Sequence, residues 1–223
     1  KEAMEELPPS WSEKAKMFPV NGISDSDLAL TIRTGGPHPE FRVLSAGTLI
    51  RVKGFALAIK AFHKFLESHG NAKFTIFGDG PEAPKLRVLI RRLGLVGKVE
   101  LKPELPRDEL LREMTAHDVF LFPSLRDGGG AVVVEALAAG TPVLCLDVGG
   151  PAMHVSEECG IKVNPSTPHE SIEDLAQGLA LLHDDPDLRQ RMGEAGRRKV
   201  AETYSWDALG NRLMSIYDSA MAM

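Results

Sequence analysis

Phe122-Pro123-Ser124-Leu125-Arg126-Asp127-Gly128-Gly129-Gly130-Ala131-Val132-Val133-Val134-Glu135-Ala136-Leu137-Ala138-Ala139-Gly140-Thr141-Pro142-Val143 is the stretch on which the fold turns. It reads as the end of a buried strand, an acidic turn, three consecutive glycines and an Ala/Val-rich helix with a single carboxylate. Glycines lack the Cβ that would hold a ligand away from the backbone amides. A helix opening directly after them points free N–H groups and the positive end of its dipole at that ligand. This is an anion site, and phosphate is its usual occupant. Carboxylates do not bind phosphate, so Asp127 and Glu135 need another task, and gripping sugar hydroxyls is one. Phosphate plus hydroxyls points to a nucleotide-sugar.

The alternation of strand, turn and helix extends to both sides of this stretch. Apolar strands are expected over residues 41–47, 73–77, 99–101, 118–122, 142–146 and 160–163. Between them, a helix over 54–68 carries Phe55, Ile59, Phe62 and Phe65/Leu66 on one stripe, and a basic amphipathic helix runs to 93. Another spans 107–115. Beyond 165 three helices are expected, over 168–183, 186–203 and 206–220, the first two opened by a capping residue before proline. Residues 1–40 read as irregular, broken by Pro8-Pro9, Asn21-Gly22, Gly35-Gly36-Pro37 and Pro39. Short, non-alternating apolar strands separated by helices predict an α/β fold, a parallel sheet with helices on both faces and a helical C-terminal segment. Ligands of such sheets bind beyond the carboxyl ends of the strands. The glycine turns at 47–54, 78–81 and 128–130 each follow a strand, so all three should line one crevice.

Composition narrows the functional classes. The 223 residues are 43% hydrophobic and 26% charged, as in an ordinary globular protein. A net charge of −5 argues against a general nucleic-acid binder. Cys145 and Cys159 both adjoin apolar runs and read as buried thiols of a reducing, cytoplasmic setting. No apolar run is long enough to span a bilayer. With neither an initiator Met nor a signal peptide, the chain reads as a piece of something longer.

Residues 123–136 resemble the Pro-Ser-x-x-Glu-Gly-Phe-Gly-x-x-x-x-Glu-Ala segment of the family 4 retaining glycosyltransferases. Further segments match in order: Pro19-Val20-Asn21-Gly22-Ile23, Gly47 through Lys53-Gly54, Phe77-Gly78-Asp79-Gly80-Pro81-Glu82, Gly140-Thr141-Pro142-Val143 with Gly149-Gly150, and Tyr204-Ser205-Trp206. The family has the GT-B architecture, two Rossmann-like domains facing across a cleft, and the resemblance covers roughly residues 19–220. It implies that Glu135 grips the ribose hydroxyls and that Asp127, the catalytic-site candidate, contacts the donor sugar. Lys53 would bind the diphosphate, amides around Gly128, Gly129, Gly130 and Ala131 would cap the distal phosphate, and the backbone of residues 99–103 (Val99, Leu101, Lys102, Pro103) would hold the base. Three positions depart from the pattern. Asp127 replaces Glu, Thr48 stands where the family has a phosphate-binding Arg, with Arg51 three residues on as its substitute, and Gly129 replaces an aromatic residue.

The resemblance implies the donor-binding half of a glycosyltransferase that moves a glycosyl group to an acceptor hydroxyl. The donor is a nucleotide-diphosphate sugar, and no cofactor or metal is called for. Residues 1–18 would be the tail of a missing N-terminal domain, 19–204 the nucleotide-sugar domain, and 205–223 a helix packing on that missing domain. The missing domain would supply the acceptor pocket, so this chain should not catalyse alone, and Leu209, Leu213, Ile216 and Tyr217 should be partly bare. The plainer readings are solvated charges for Lys53 and Arg51, an N-cap for Asp127 and a turn brace for Asp79. His154 is the one histidine that could point into the cleft. Arg87, Arg91, Arg92 and the later Arg189, Arg191, Arg197, Arg198 and Lys199 read as exposed helix faces, or as a peripheral contact with an anionic membrane. Two other functions stay open: a degenerate binding-only domain and a GT-B nucleotide-sugar epimerase. A dinucleotide-dependent oxidoreductase is disfavoured, because no Gly-x-Gly-x-x-Gly follows the first strand.

Overall fold

The structure, a computed structural model, describes residues 18–19, 21–31 and 39–221. The readings that rest on Pro8-Pro9, on Gly35-Gly36-Pro37 and on most of the 1–18 tail lie outside the described residues. Six parallel strands, β1 (Phe41–Ala46), β2 (Ala72–Phe77), β3 (Val99–Lys102), β4 (Val119–Phe122), β5 (Val143–Leu146) and β6 (Gly160–Val163), form one sheet in the order β3-β2-β1-β4-β5-β6. The chain winds outward from β1 in one direction, then returns to β1's other edge as β4. Between β1 and β4 the connections leave on opposite faces, which opens a crevice at the carboxyl ends of these two strands.

Alternate residues of each strand feed two cores, one on each face of the sheet. Val43, Phe74, Ile76, Leu121 and Leu144 pack with helices α2 (Phe55–Leu66), α3 (Ala83–Arg92) and α7 (Pro168–Asp184). Leu44, Phe120, Phe122, Val143 and Cys145 pack with α4 (Arg107–Thr115), α5 (Ala131–Ala138) and α8 (Pro186–Thr203). The fully buried Phe62 on the α2 stripe meets Phe74 at a ring separation of 5.4 Å. Burying such a side chain contributes about 1.5–3 kcal/mol. Both cysteines are free and buried, and burial pushes the Cys145 thiol up to about 12.

Two short helices depart from the sequence reading. The stretch read as irregular contains α1 (Asp25–Leu30), begun by a capping box. The Ser24 hydroxyl accepts the Asp27 amide at 3.2 Å, and the Ser24 amide donates to Asp27 Oδ2 at 2.9 Å. At Gly149-Gly150, where the sequence reading placed no element, α6 spans Gly149–His154. Of the four residues expected to be partly bare on the last helix, α9 (Trp206–Met221), Leu213 and Tyr217 are exposed and Ile216 is half-buried; Met214 is exposed beside them. Leu209 corrects that prediction: it is buried, because α9 begins where the chain returns to Ile23. There the Ile23 amide donates to the Tyr204 carbonyl at 2.8 Å, and the Trp206 amide donates to the Ile23 carbonyl at 3.3 Å. Among the described residues no helix is long and apolar enough to cross a membrane.

Candidate functional site

The turns after β1 and β4 are stitched together by the backbone. The Leu125 amide donates to the Val52 carbonyl at 2.8 Å, and the Ser124 hydroxyl reaches the same oxygen at 3.3 Å. Gly54, at φ 72°, permits this approach: a Cβ there would lie 1.9 Å from the Pro123 carbonyl oxygen. The 3-10 turn Arg51–Lys53 is thereby pressed against the glycine turn, and Lys53 forms an ion pair with Asp127.

Asp127 organises that turn. Its Oδ2 takes the Lys53 ammonium, while Oδ1 accepts the amides of Gly129 at 3.1 Å and Gly130 at 2.8 Å. Burial works to raise its carboxyl, but Lys53 and the two amides outweigh it and hold the group below the ordinary 3.8. Asp127 is thus a brace of the turn ahead of α5 and not its N-cap, which is Gly130 without a side-chain bond, because the carboxylate is spent on the two amides before the helix begins. Of the amides expected to cap a phosphate, those of Gly129 and Gly130 are occupied by this carboxylate; that of Ala131, joined by Val132 from outside the expected set, stands at the start of α5.

The Gly129 carbonyl is gripped from two sides, by Asn21 Nδ2 and by His154 Nε2 at 2.7 Å. A carbonyl only accepts, so Nε2 carries the proton and Nδ1 accepts from the Tyr204 hydroxyl at 2.8 Å. His154 is buried and braces the turn from behind, which corrects the expectation that it could face the cleft. Burial depresses its pKa below 6.5, against the pull of the Gly129 carbonyl.

Glu135, in the second turn of α5, does not face open solvent; its side chain is 13% exposed. Burial raises its carboxyl above 4.5, opposed by Arg107, whose Nε lies 2.6 Å from Oε1. Arg107 also reaches Asp27 Oδ1 through Nη1 at 2.5 Å. Burial tends to raise Asp27 as well, but its bonds to the Ser24 amide and to Arg107 leave it lowered. One guanidinium thus serves two carboxylates, of which Glu135 stays raised and Asp27, with the Ser24 amide as a further donor, is lowered. Around this triad a cleft of 490 Å³ is lined by Asn21, Gly22, Asp27, Arg107, Ala131, Val134, Glu135 and Trp206.

The remaining candidates spread along the same edge. Thr48 and Arg51 are exposed beyond β1. Lys102 and Pro103 are exposed at the end of β3, and Lys102 lies over the Phe77 ring at 5.6 Å. Leu101 is half-buried, whereas Val99 lies in the core at the amino end of β3, away from the rim. Asp79, read as a brace of its own turn, instead ties that turn to the loop after β3 by accepting the Glu104 amide at 3.2 Å. Sequence reasoning missed Arg107, Asp27 and Trp206 as cleft residues. Two signals were available: Ser24-x-x-Asp27 has the capping-box spacing, and Arg107 opens a helix, where the dipole disfavours a cation without a carboxylate partner. Trp206 carried no such signal. Its ring packs on Gly22, where a Cβ would come within 2.5 Å of it.

The family described as Glycosyl transferases group 1 matches residues 32–199. An uncharacterized glycosyltransferase of Methanocaldococcus jannaschii is 32% identical over 215 residues, 96% of this chain and 50% of that protein. The D-inositol 3-phosphate glycosyltransferase of Corynebacterium glutamicum is 34% identical over 187 residues, 81% of this chain and 44% of that protein. Among solved structures, the pneumococcal O-GlcNAc transferase in complex with UDP and GlcNAc superposes with a TM-score of 0.78 at 20% identity, covering 91% of this chain and 39% of that one. That likeness bears on the fold, a Rossmann-like half of a GT-B pair. The chain spans about half the length of the curated relatives it matches.

Proposed function

Since the chain belongs to the group 1 glycosyl transferases, we propose that it is the donor-binding half of a retaining glycosyltransferase that uses a nucleotide-diphosphate sugar. The observation that carries this reading is the convergence, at the carboxyl ends of β1 and β4, of Lys53, the glycine turn and the half-buried Glu135. In the bound state the diphosphate meets the Ala131 and Val132 amides and the Lys53 ammonium, with Arg51 within the same turn. These groups offset the charge that develops on the leaving diphosphate. Glu135 accepts from the ribose hydroxyls, and the rim at Leu101, Lys102 and Pro103 borders the base. The acceptor site lies on a partner domain, against which the exposed side of α9 packs, so the chain does not turn over alone. Two free, buried thiols support a cytoplasmic setting.

Calorimetric titration with uridine, guanosine and adenosine diphosphates tests the reading: one of them binds, and Glu135→Ala abolishes the heat. Unchanged affinity in that variant overturns the ribose role. One observation favours a second reading, a domain that binds without supporting transfer: Asp127 is folded back onto the turn amides instead of extending from them. Turnover by the longer protein across a panel of nucleotide-sugars separates the two.

A further inference from the structure

At the amino edge of the sheet, opposite the cleft, the C-terminal ends of α2 and α7 converge on three polar side chains. His69 follows α2, and His183 and Asp184 close α7. One ligand atom from each of the three lies within 4.8 Å of the others. His69 Nε2 is 3.3 Å from Asp184 Oδ1, and His183 Nδ1 is 2.7 Å from the same oxygen. The imidazoles are held in place by ring contacts. His69 stacks on Phe65 at 4.7 Å and 6°, and His183 meets Phe41 edge-on at 5.2 Å.

Proton counting shows what this arrangement lacks. His69 Nδ1 faces the Phe65 carbonyl oxygen at 3.3 Å while Nε2 faces the Asp184 carboxylate. Both of these partners are acceptors, and a neutral imidazole has only one N–H. With Nδ1 donating to the backbone, Nε2 presents a lone pair to a carboxylate, and a cation between them removes the conflict. An Nδ1–H held by a backbone carbonyl is also the usual way a metal-binding histidine is oriented. Two helix C-termini add negative potential at this point. Arg189, the nearby cation, donates to the Leu182 and His183 carbonyls and not to Asp184.

We propose that His69, His183 and Asp184 bind one divalent transition-metal ion of the zinc class. Two imidazoles and a carboxylate suit that metal, whose tetrahedral ligand atoms stand about 3.3 Å apart. Each imidazole already stands within 3.4 Å of the Asp184 carboxylate, so the closure needed is between the two rings, and Asp184, 62% exposed, is free to turn with them. Its outer side leaves a position for water. The ion would clip α2 to α7 far from the donor cleft, so the inference does not depend on the function proposed above.

The test is calorimetric titration of zinc chloride near neutral pH into chelator-treated protein, with cobalt(II) absorption as a second readout. One ion per chain is expected, with affinity weakened at least about tenfold by Asp184→Asn and by His69→Gln, and with the cobalt bands lost in both. The exposed Asp184 can be replaced without disturbing the aromatic packing, so a folded variant is assured for the comparison. Absence of heat, or heat unchanged in both variants, overturns the site. So does a melting temperature that follows pH but ignores zinc, because a proton alone would then occupy the cluster.

Discussion

Lys53 and Asp127, separated by 74 residues in the chain, form an ion pair, and the carboxylate also holds the amides of Gly129 and Gly130. One side chain therefore links the turn after β1 to the start of α5. Asp127→Asn should keep part of the hydrogen bonding to the turn amides and lose the charge. We expect a loss of about 1–2 kcal/mol in urea unfolding. Asp127→Glu, which restores the family's residue, should free the amides and tighten nucleoside diphosphate binding; weaker binding would count against the idea that Asp127 competes with phosphate.

Acid stability should carry the signature of the same carboxylate. Its folded pKa lies below the unfolded value near 3.8. Its contribution is complete above that value and is lost as pH falls through the lower, folded one. His117 and His154 act earlier: burial depresses both below 6.5, so the unfolded chain binds the proton more readily and stability declines as pH drops below 6.5. Glu135 has the opposite sign, because its raised pKa makes ionisation unfavourable in the fold. Thermal melts from neutral to mildly acidic pH should fall, and His154→Gln should flatten part of that decline. An equal slope in the variant contradicts the assignment.

Donor affinity should respond to pH through Glu135. Accepting ribose hydroxyls requires the carboxylate, so binding weakens as pH falls through its raised pKa, above the ordinary 4.5. Arg107→Met removes the opposing guanidinium and should move this loss to higher pH. Calorimetry at a series of pH values reads it out, and superposable profiles for the two proteins rule it out.

Neighbouring glycines should differ sharply. Gly130 sits at φ 62°, and a Cβ would come 2.9 Å from the His154 ring, so Gly130→Ala should cost about 1–3 kcal/mol. Nothing lies within 4 Å of a Cβ added at Gly128, and Gly128→Ala should stay within about 0.5 kcal/mol. Equal effects in chemical denaturation would show that the turn is not held as described.

Much of the architecture was legible in the chain because local rules govern it. The 107–115 helix was read to its limits, and no strand differs by more than one residue, since apolar runs and Pro/Gly stops act over a few residues. Two short helices escaped. In α1, polar Ser24, Asp25 and Asp27 read as a loop, and in α6 the glycine pair masked a six-residue turn that packs behind Gly130.

By itself, then, the sequence determined the parallel sheet, the glycine turn at a strand end, and Glu135 one turn into α5. It could rank Asp127 as cap or ligand contact but not decide between them. The pairing of Asp127 with Lys53 and the turn amides, the burial of His154 and the sharing of Arg107 between Asp27 and Glu135 were settled by tertiary structure. The physical reason is distance along the chain. Strands and turns follow from neighbours a few residues apart, whereas a carboxylate's partner and its pKa depend on which remote side chains the topology brings within about 3 Å.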